Sequence, residues 1–303
     1  MTKDMEPSAT QVNEQDRIKA GTFEFLDEYK GRRVNQYTTP RGGRHYEVEG
    51  YQFDFASVTS ITGVVNKRGI PDWYKRMGIE KAIDIMDKPG VRERLELQAK
   101  GKNDRARKHK NHTWQTELYE EAKVGPQEAM DFAADFGIQA HEIIEDIAMA
   151  DIRNGAINQF LLTELPEYNA IIEGFQGWFR DNDLAIVASE LMVYHPAYKY
   201  AGTIDLVCRR EGTAELVVID VKTGGVFDEA AMQISAYSQA LEYLTGDPVS
   251  EAWVLQLPRD RPIKWDADKL YEIYKVNDIQ EYFDAFDTAH KLRGLLEKEA
   301  WSS

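Results

Sequence analysis

The spacing of apolar residues changes character several times along this chain, most sharply over residues 189–244. Leu191–Tyr194 alternates loosely, while Thr203–Cys208 and Glu215–Val221 are β-branched and apolar, with Glu211-Gly212 as a hairpin turn between them. Past Asp228, a capping residue, the period lengthens to that of a helix ending near Leu244. The stretch predicts a short β-meander followed by a helix.

The same patterns place the other elements. Arg44–Val48 and Tyr51–Phe55, joined by Glu49-Gly50, predict a hairpin. Ile70-Pro71-Asp72-Trp73 opens a helix with Trp73, Met77 and Ile79 on its buried side. Thr116 to Ala150 is strongly helical, Pro126 starting its second helix and Gly137 lying inside that helix. Leu165-Pro166-Glu167 begins a helix to about Asp181, with Ile171, Ile172, Phe175, Trp178 and Phe179 as its core stripe. Glu251–Leu257 reads as a buried strand, Tyr271–Val276 as another, and 277–299 as an amphipathic closing helix. The expected class is α/β, a mixed central sheet flanked by helices with a helical N-terminal elaboration. Residues 1–20 are expected to form a mobile arm, 21–125 a hairpin and helical region, and 126–303 the core.

Composition narrows the setting. A single cysteine, Cys208, excludes an internal disulfide and an iron–sulfur cluster held by four cysteines of one chain. With no signal peptide and no apolar run of membrane-spanning length, the expectation is a cytoplasmic protein without a membrane partner. The formal net charge is −15, the wrong sign for a nucleic-acid protein. Between Arg92 and Lys110, however, eight basic residues face three acidic ones, a local balance of +5. Arg105, Arg107, Lys108 and Lys110 form the densest part of that cluster and are the candidates to face DNA; the alternative is a solvated loop.

Asp205 and Asp220 interrupt two of the apolar strands. A carboxylate there is costly unless it is paired or holds a metal. Positions i and i+2 of a strand share a face, so Asp220 and Lys222 emerge together while Val221 turns into the core. If the hairpin sets Asp205 opposite Asp220, the three charges share one patch. Hard oxygen ligands suit Mg²⁺ or Mn²⁺, with the Val221 carbonyl as a further ligand and Lys222 beside the attacking water or developing oxyanion.

At these residues the chain resembles RecB-like nucleases of the PD-(D/E)XK phosphodiesterase superfamily. The resemblance rests on Gly202-Thr203-Ile204-Asp205, then Ile219-Asp220-Val221-Lys222-Thr223-Gly224, then Gln233 and Tyr237. It implies a restriction-endonuclease-like core. Gly137 through His141 to Glu145 matches that family's first motif, which implies His141 near the metal. In the superfamily an acidic residue on the first core strand or the preceding helix often supports the metal or its water, and Glu190 is the candidate, the alternative being a surface charge at a strand end. Gln233 and Tyr237 by the same resemblance reach the active site or the scissile strand. The hairpin with Ser57-Val58-Thr59 is similar to the N-terminal signature of phage exonucleases and the mitochondrial genome maintenance exonuclease. Ser57 and Thr59 are then either phosphate contacts or an ordinary helix cap.

The expected activity is a metal-dependent deoxyribonuclease, an exonuclease on single-stranded DNA or DNA ends in replication, recombination or repair, in a bacterial or phage-infected cell. A non-catalytic DNA-end-binding module serving a replication or recombination protein remains open, as does an endonuclease or RNase on the same core.

Overall fold

The computed structural model describes residues 32–38, 44–65, 70–91, 93, 114–154, 166–210, 212–257 and 270–298. Contacts divide the chain into two compact units. One takes the described residues up to Val65 together with Gln139 onward; the other takes the described part of Lys67–Ile138.

The first unit is built on one mixed sheet. Its strands are β1 (Val34–Thr38), β2 (Arg44–Val48), β3 (Phe55–Ser57), β4 (Leu184–His195), β5 (Tyr200–Arg210), β6 (Leu216–Lys222), β7 (Val249–Gln256) and β8 (Glu272–Lys275). The order is β1-β2-β3-β5-β6-β7-β8, with β4 pairing β5. Only β3/β5 and β6/β7 are parallel. The architecture is therefore the expected mixed α/β sheet. β6 is buried from Leu216 to Val221, so both its faces are covered.

Helices α1 (Val58–Thr62), α6 (Glu229–Thr245) and α7 (Ile279–Leu296) enclose one apolar core with the sheet. Val58, Ile61, Leu191, Val218, Ile234, Leu241 and Phe286 belong to it. α7 is capped by Asp278, whose carboxylate accepts the Glu281 amide at 3.0 Å. α5 (Pro166–Asp181) buries Ile171, Ile172, Phe175 and Trp178 completely, while Phe179, at the edge of the same stripe, is half-buried. The second unit contains α2 (Ile70–Asp87), α3 (Trp114–Ala122) and the first half of α4 (Gly125–Asn154), which continues into the first unit. Among the described residues no helix is long and apolar enough to cross a membrane.

Four details depart from the pattern. β1 is a strand with one fully buried residue, Val34, and owes its form to pairing with β2 rather than to any alternation of its own. The partner of β2 is Phe55–Ser57 and not Tyr51–Phe55, because residues 51–54 turn and the register begins at Tyr46↔Phe55. Ile79 is 60% exposed: six positions past Trp73 the helix has rotated it away from that face. Asp228 makes no side-chain cap for α6; the Ala230 and Ala231 amides are taken by the carbonyls of Phe227 and Asp228 instead.

Candidate active site

The site lies where one edge of β5 is interrupted. β4 follows β5 from Tyr200 to Arg210 on one side. On the other, β3 pairs with Tyr200 and Ala201, and β6 pairs with Leu206 to Arg209. Residues 202–205 fall between the two ladders. Asp205 and Asp220 stand one step beyond the last β5–β6 pair, Leu206↔Ile219. There the Asp205 side chain replaces the ladder: Oδ2 accepts the Val221 amide at 2.6 Å.

Asp220 and Lys222 share a face, and Lys222 Nζ lies 2.6 Å from Asp220 Oδ2. Oδ2 takes no hydrogen bond from any other described residue. Asp220 Oδ1 accepts from Gln233 Nε2 at 3.0 Å, and the same amide lies 3.1 Å from Tyr237 Oη. Gln233 and Tyr237, one turn apart on α6, thus form a single polar chain to Asp220. Gly202 makes room for it. A Cβ there would stand 2.5 Å from Tyr237 Cε1 and 3.3 Å from Val58 Cγ2, so only glycine lets the tyrosine ring pack this close to β5.

His141 comes from α4. Its Nδ1 lies 3.6 Å from Glu190 Oε1 and 3.7 Å from Asp205 Oδ1. The three residues offer ligand atoms all within 4.8 Å of one another. Glu190 has φ of 50°, left-handed in the middle of β4. A non-glycine residue in that region costs about 1–3 kcal/mol and persists only where its surroundings impose it. Here the strain accompanies a carboxylate aimed at His141. Ser189 Oγ donates to the Asp205 carbonyl at 3.2 Å and fastens the two strands beside it.

The electrostatics describe a site short of positive charge. Burial would depress His141, but Asp205 and Glu190 outweigh it and raise it to about 9. Asp205 is raised, first by burial and then by Glu190, against the pull of His141 and Lys222. Asp220 is raised by burial first and by Asp205, against Lys222. Burial pulls Lys222 down, yet Asp220 and Asp205 overcome it and leave the ammonium raised. Glu190, Asp205 and Asp220 thus outnumber the two cations they face, the His141 imidazolium and the Lys222 ammonium. Two carboxylates and an imidazole within reach of one point fit a hard divalent cation that keeps positions for water and phosphate.

The structure therefore gathers Asp205, Asp220, Lys222, Glu190, His141, Gln233 and Tyr237 at one place. It groups Glu190 with His141 and Asp205, while Asp220 turns toward Lys222 and Gln233. Val221 enters through its amide. Ser57 occupies the N-cap of α1 without a capping bond; its hydroxyl pairs with that of Thr59 at 2.8 Å. Ser57 is buried and Thr59 exposed, so of the two only the threonine faces solvent. Arg105, Arg107, Lys108 and Lys110 lie outside the described residues.

Two neighbours carried no signal in the sequence. Gln256, which pairs with Lys222, donates to the Gly224 carbonyl at 2.5 Å and accepts from Tyr274 Oη at 3.1 Å, tying down the turn after Lys222. Glu229, buried in the first turn of α6, adds to the field that raises Lys222. Both are ordinary polar residues until the β6–β7 register and the start of α6 set them beside the motif.

Residues 111–300 match the family model of the PD-(D/E)XK nuclease superfamily, more than half of the chain. A search of the curated proteins finds no match. Among solved structures, the one titled "Crystal structure of SSO0001" is similar over 54% of this chain and 71% of its own, with 13% identity and a TM-score of 0.25.

Proposed function

Because this chain belongs to the PD-(D/E)XK nuclease superfamily, we propose that it is a divalent-metal-dependent deoxyribonuclease, a RecB-like exonuclease acting on single strands or DNA ends. The observation that carries the reading is the excess of carboxylates around Lys222. Asp205 and Asp220 meet Lys222, and Glu190 joins Asp205 at His141, so three carboxylates outnumber two cations, an arrangement that suits a divalent cation and a phosphodiester and has little use in a simple binding module.

His141, Glu190 and Asp205 would hold Mg²⁺ or Mn²⁺, with Asp220 and the Val221 carbonyl as further oxygen donors. When bound, the cation supplies Lewis-acid stabilisation of phosphate charge and makes water a better nucleophile near neutral pH. The other roles belong to the chain itself. Lys222, kept protonated by Asp220 and Asp205, donates to the attacking water or to a phosphate oxygen as charge builds there. Gln233 holds Asp220 in place, and Tyr237 holds Gln233. Thr59 is a phosphate contact oriented by Ser57, and Arg105, Arg107, Lys108 and Lys110 form the basic element that meets DNA.

The test uses one linear DNA, single-stranded and duplex, labelled separately at its 5′ and 3′ ends, beside a covalently closed circle. Each is incubated with Mg²⁺, Mn²⁺ or EDTA and wild type or Asp220→Ala. Metal-dependent loss of linear DNA, absent in Asp220→Ala and with the circle spared, is the expected result. A cut circle makes the protein an endonuclease, and DNA bound but never cut makes it a binding module.

A further inference from the structure

Along β5, Asp205 lies five residue steps from Tyr200, about 17 Å at the rise of a strand. α6 spans the same interval, from Gln233 beside Asp220 to Tyr243 near its end. At the Tyr200 end of both elements aromatic rings collect. Tyr51 lies 5.5 Å from Phe53 and 6.0 Å from Tyr194, and His195 lies 4.8 Å from both Tyr198 and Tyr243. Tyr243 lies close enough to Tyr51 and Arg32 to feel both electrostatically, which joins the two groups. Phe53, Tyr198 and Tyr243 are 36%, 38% and 51% exposed, so this ledge is open to solvent.

Two cations lie on it. The Arg32 guanidinium stands 5.0 Å over the Tyr51 ring and Lys199 Nζ 4.9 Å over Phe53. Neither forms an ion pair with a carboxylate among the described residues, in a chain of net charge −15. Lys199 also holds φ of 55°, a turn position that glycine or asparagine would fill with less strain.

We infer that this ledge is a binding site for single-stranded DNA, its exposed rings stacking on unpaired bases while Arg32 and Lys199 meet the adjoining phosphates. The inference rests on the nuclease reading and extends it to a substrate form. Aromatic rings need bases with free faces, which a duplex withholds and a single strand presents. Stacking also suits an acidic protein, because it does not depend on overall charge. Beside Tyr51 and Phe53, a cavity of about 480 Å³ is lined by Glu47, Glu49 and Asp54 with one cation, Arg33, so a phosphate is better met at Arg32 and Lys199 than inside it.

The experiment measures binding of fluorescent oligo-dT, an abasic oligomer of equal length and a blunt duplex in EDTA. Wild type is compared with Tyr243→Ala, Phe53→Ala and Arg32→Ala/Lys199→Ala, all checked for folding by circular dichroism. Cleavage of oligo-dT with Mn²⁺ is measured alongside. The expected result is roughly tenfold weaker oligo-dT binding for each aromatic variant, with abasic and duplex binding unchanged. The double cation variant should lower the slope of log K against log salt by about 1.4. Equal oligo-dT affinity in wild type and variants, or equal losses on the abasic oligomer or the duplex, overturns the ledge. If wild type cuts DNA while the variants bind as it does, the ledge alone fails. If the variants lose binding while wild type never cuts, the nuclease reading alone fails; a wild type that neither binds nor cuts overturns both.

Discussion

Asp205 Oδ2 accepts the Val221 amide at 2.6 Å, one step past the point where the β5–β6 ladder stops. The carboxylate therefore does two things at once: it closes the end of a sheet with one oxygen and faces His141 with the other. Asp205→Asn can keep the first through its amide oxygen and lose the charge needed for the second. Metal-dependent DNA cleavage should fall about 100-fold or more, while the thermal unfolding midpoint in EDTA stays level or rises. A large loss of stability with cleavage retained would assign Asp205 to the fold and not to the site.

The raised pKa of His141 carries a sign. Its folded value of about 9 lies above the ordinary value of 6.5. The protonated imidazole therefore contributes stability that is present in full below about pH 6.5 and is lost as pH rises toward 9. In EDTA, unfolding free energy should decline over that window, and His141→Gln should flatten the decline. Adding Mn²⁺ should raise the midpoint most at the alkaline end, where no proton competes for the imidazole. Urea titrations at pH 6, 7.5 and 9 check both.

Gly202→Ala tests the seat of Tyr237. The new Cβ meets a buried ring at 2.5 Å, and overpacking of this kind costs about 1–3 kcal/mol. The ring is 3% exposed and cannot swing outward, so the strain should pass through Gln233 to Asp220. Cleavage should drop more than the midpoint shift alone accounts for, and Tyr237→Ala should cost less stability in the Gly202→Ala background than in wild type, with the rate restored in neither.

Glu190 separates aim from strain. Glu190→Gln keeps the left-handed backbone and loses the charge; Glu190→Gly loses both the charge and the steric penalty. Both should weaken the midpoint gain from Mn²⁺. The glycine variant should unfold at or above the midpoint of the glutamine variant, despite the greater entropy of glycine in the unfolded chain. A glycine variant well below it would mean that the backbone there is unstrained.

Lys222→Met leaves Asp220, 2% exposed at its side chain, without a counter-charge. It should abolish cleavage and cost about 1–3 kcal/mol in EDTA, less than a fully buried pair because the lysine is itself 31% exposed. Pairing it with Asp220→Asn should return most of that stability, as a double-mutant cycle in urea would record.

What the sequence determined by itself was local. Runs of β-branched and apolar residues marked β5 and β6, and because side chains of a strand alternate between faces, Asp220 emerged beside Lys222. A period of 3.6 marked α5 and brought Gln233 next to Tyr237. Pro126 and Gly212 fell where the chain needs a fixed or a positive φ. The tertiary structure decided whatever depends on register between distant segments. It made β1 a strand through its partner, left residues 202–205 between two ladders, and set Glu190 with His141 and Asp205. It placed Gln256 beside Lys222 through parallel pairing and gathered Tyr51, His195 and Tyr243 on one ledge. No short-range pattern encodes these, since each is fixed by burial and hydrogen bonding between segments tens of residues apart.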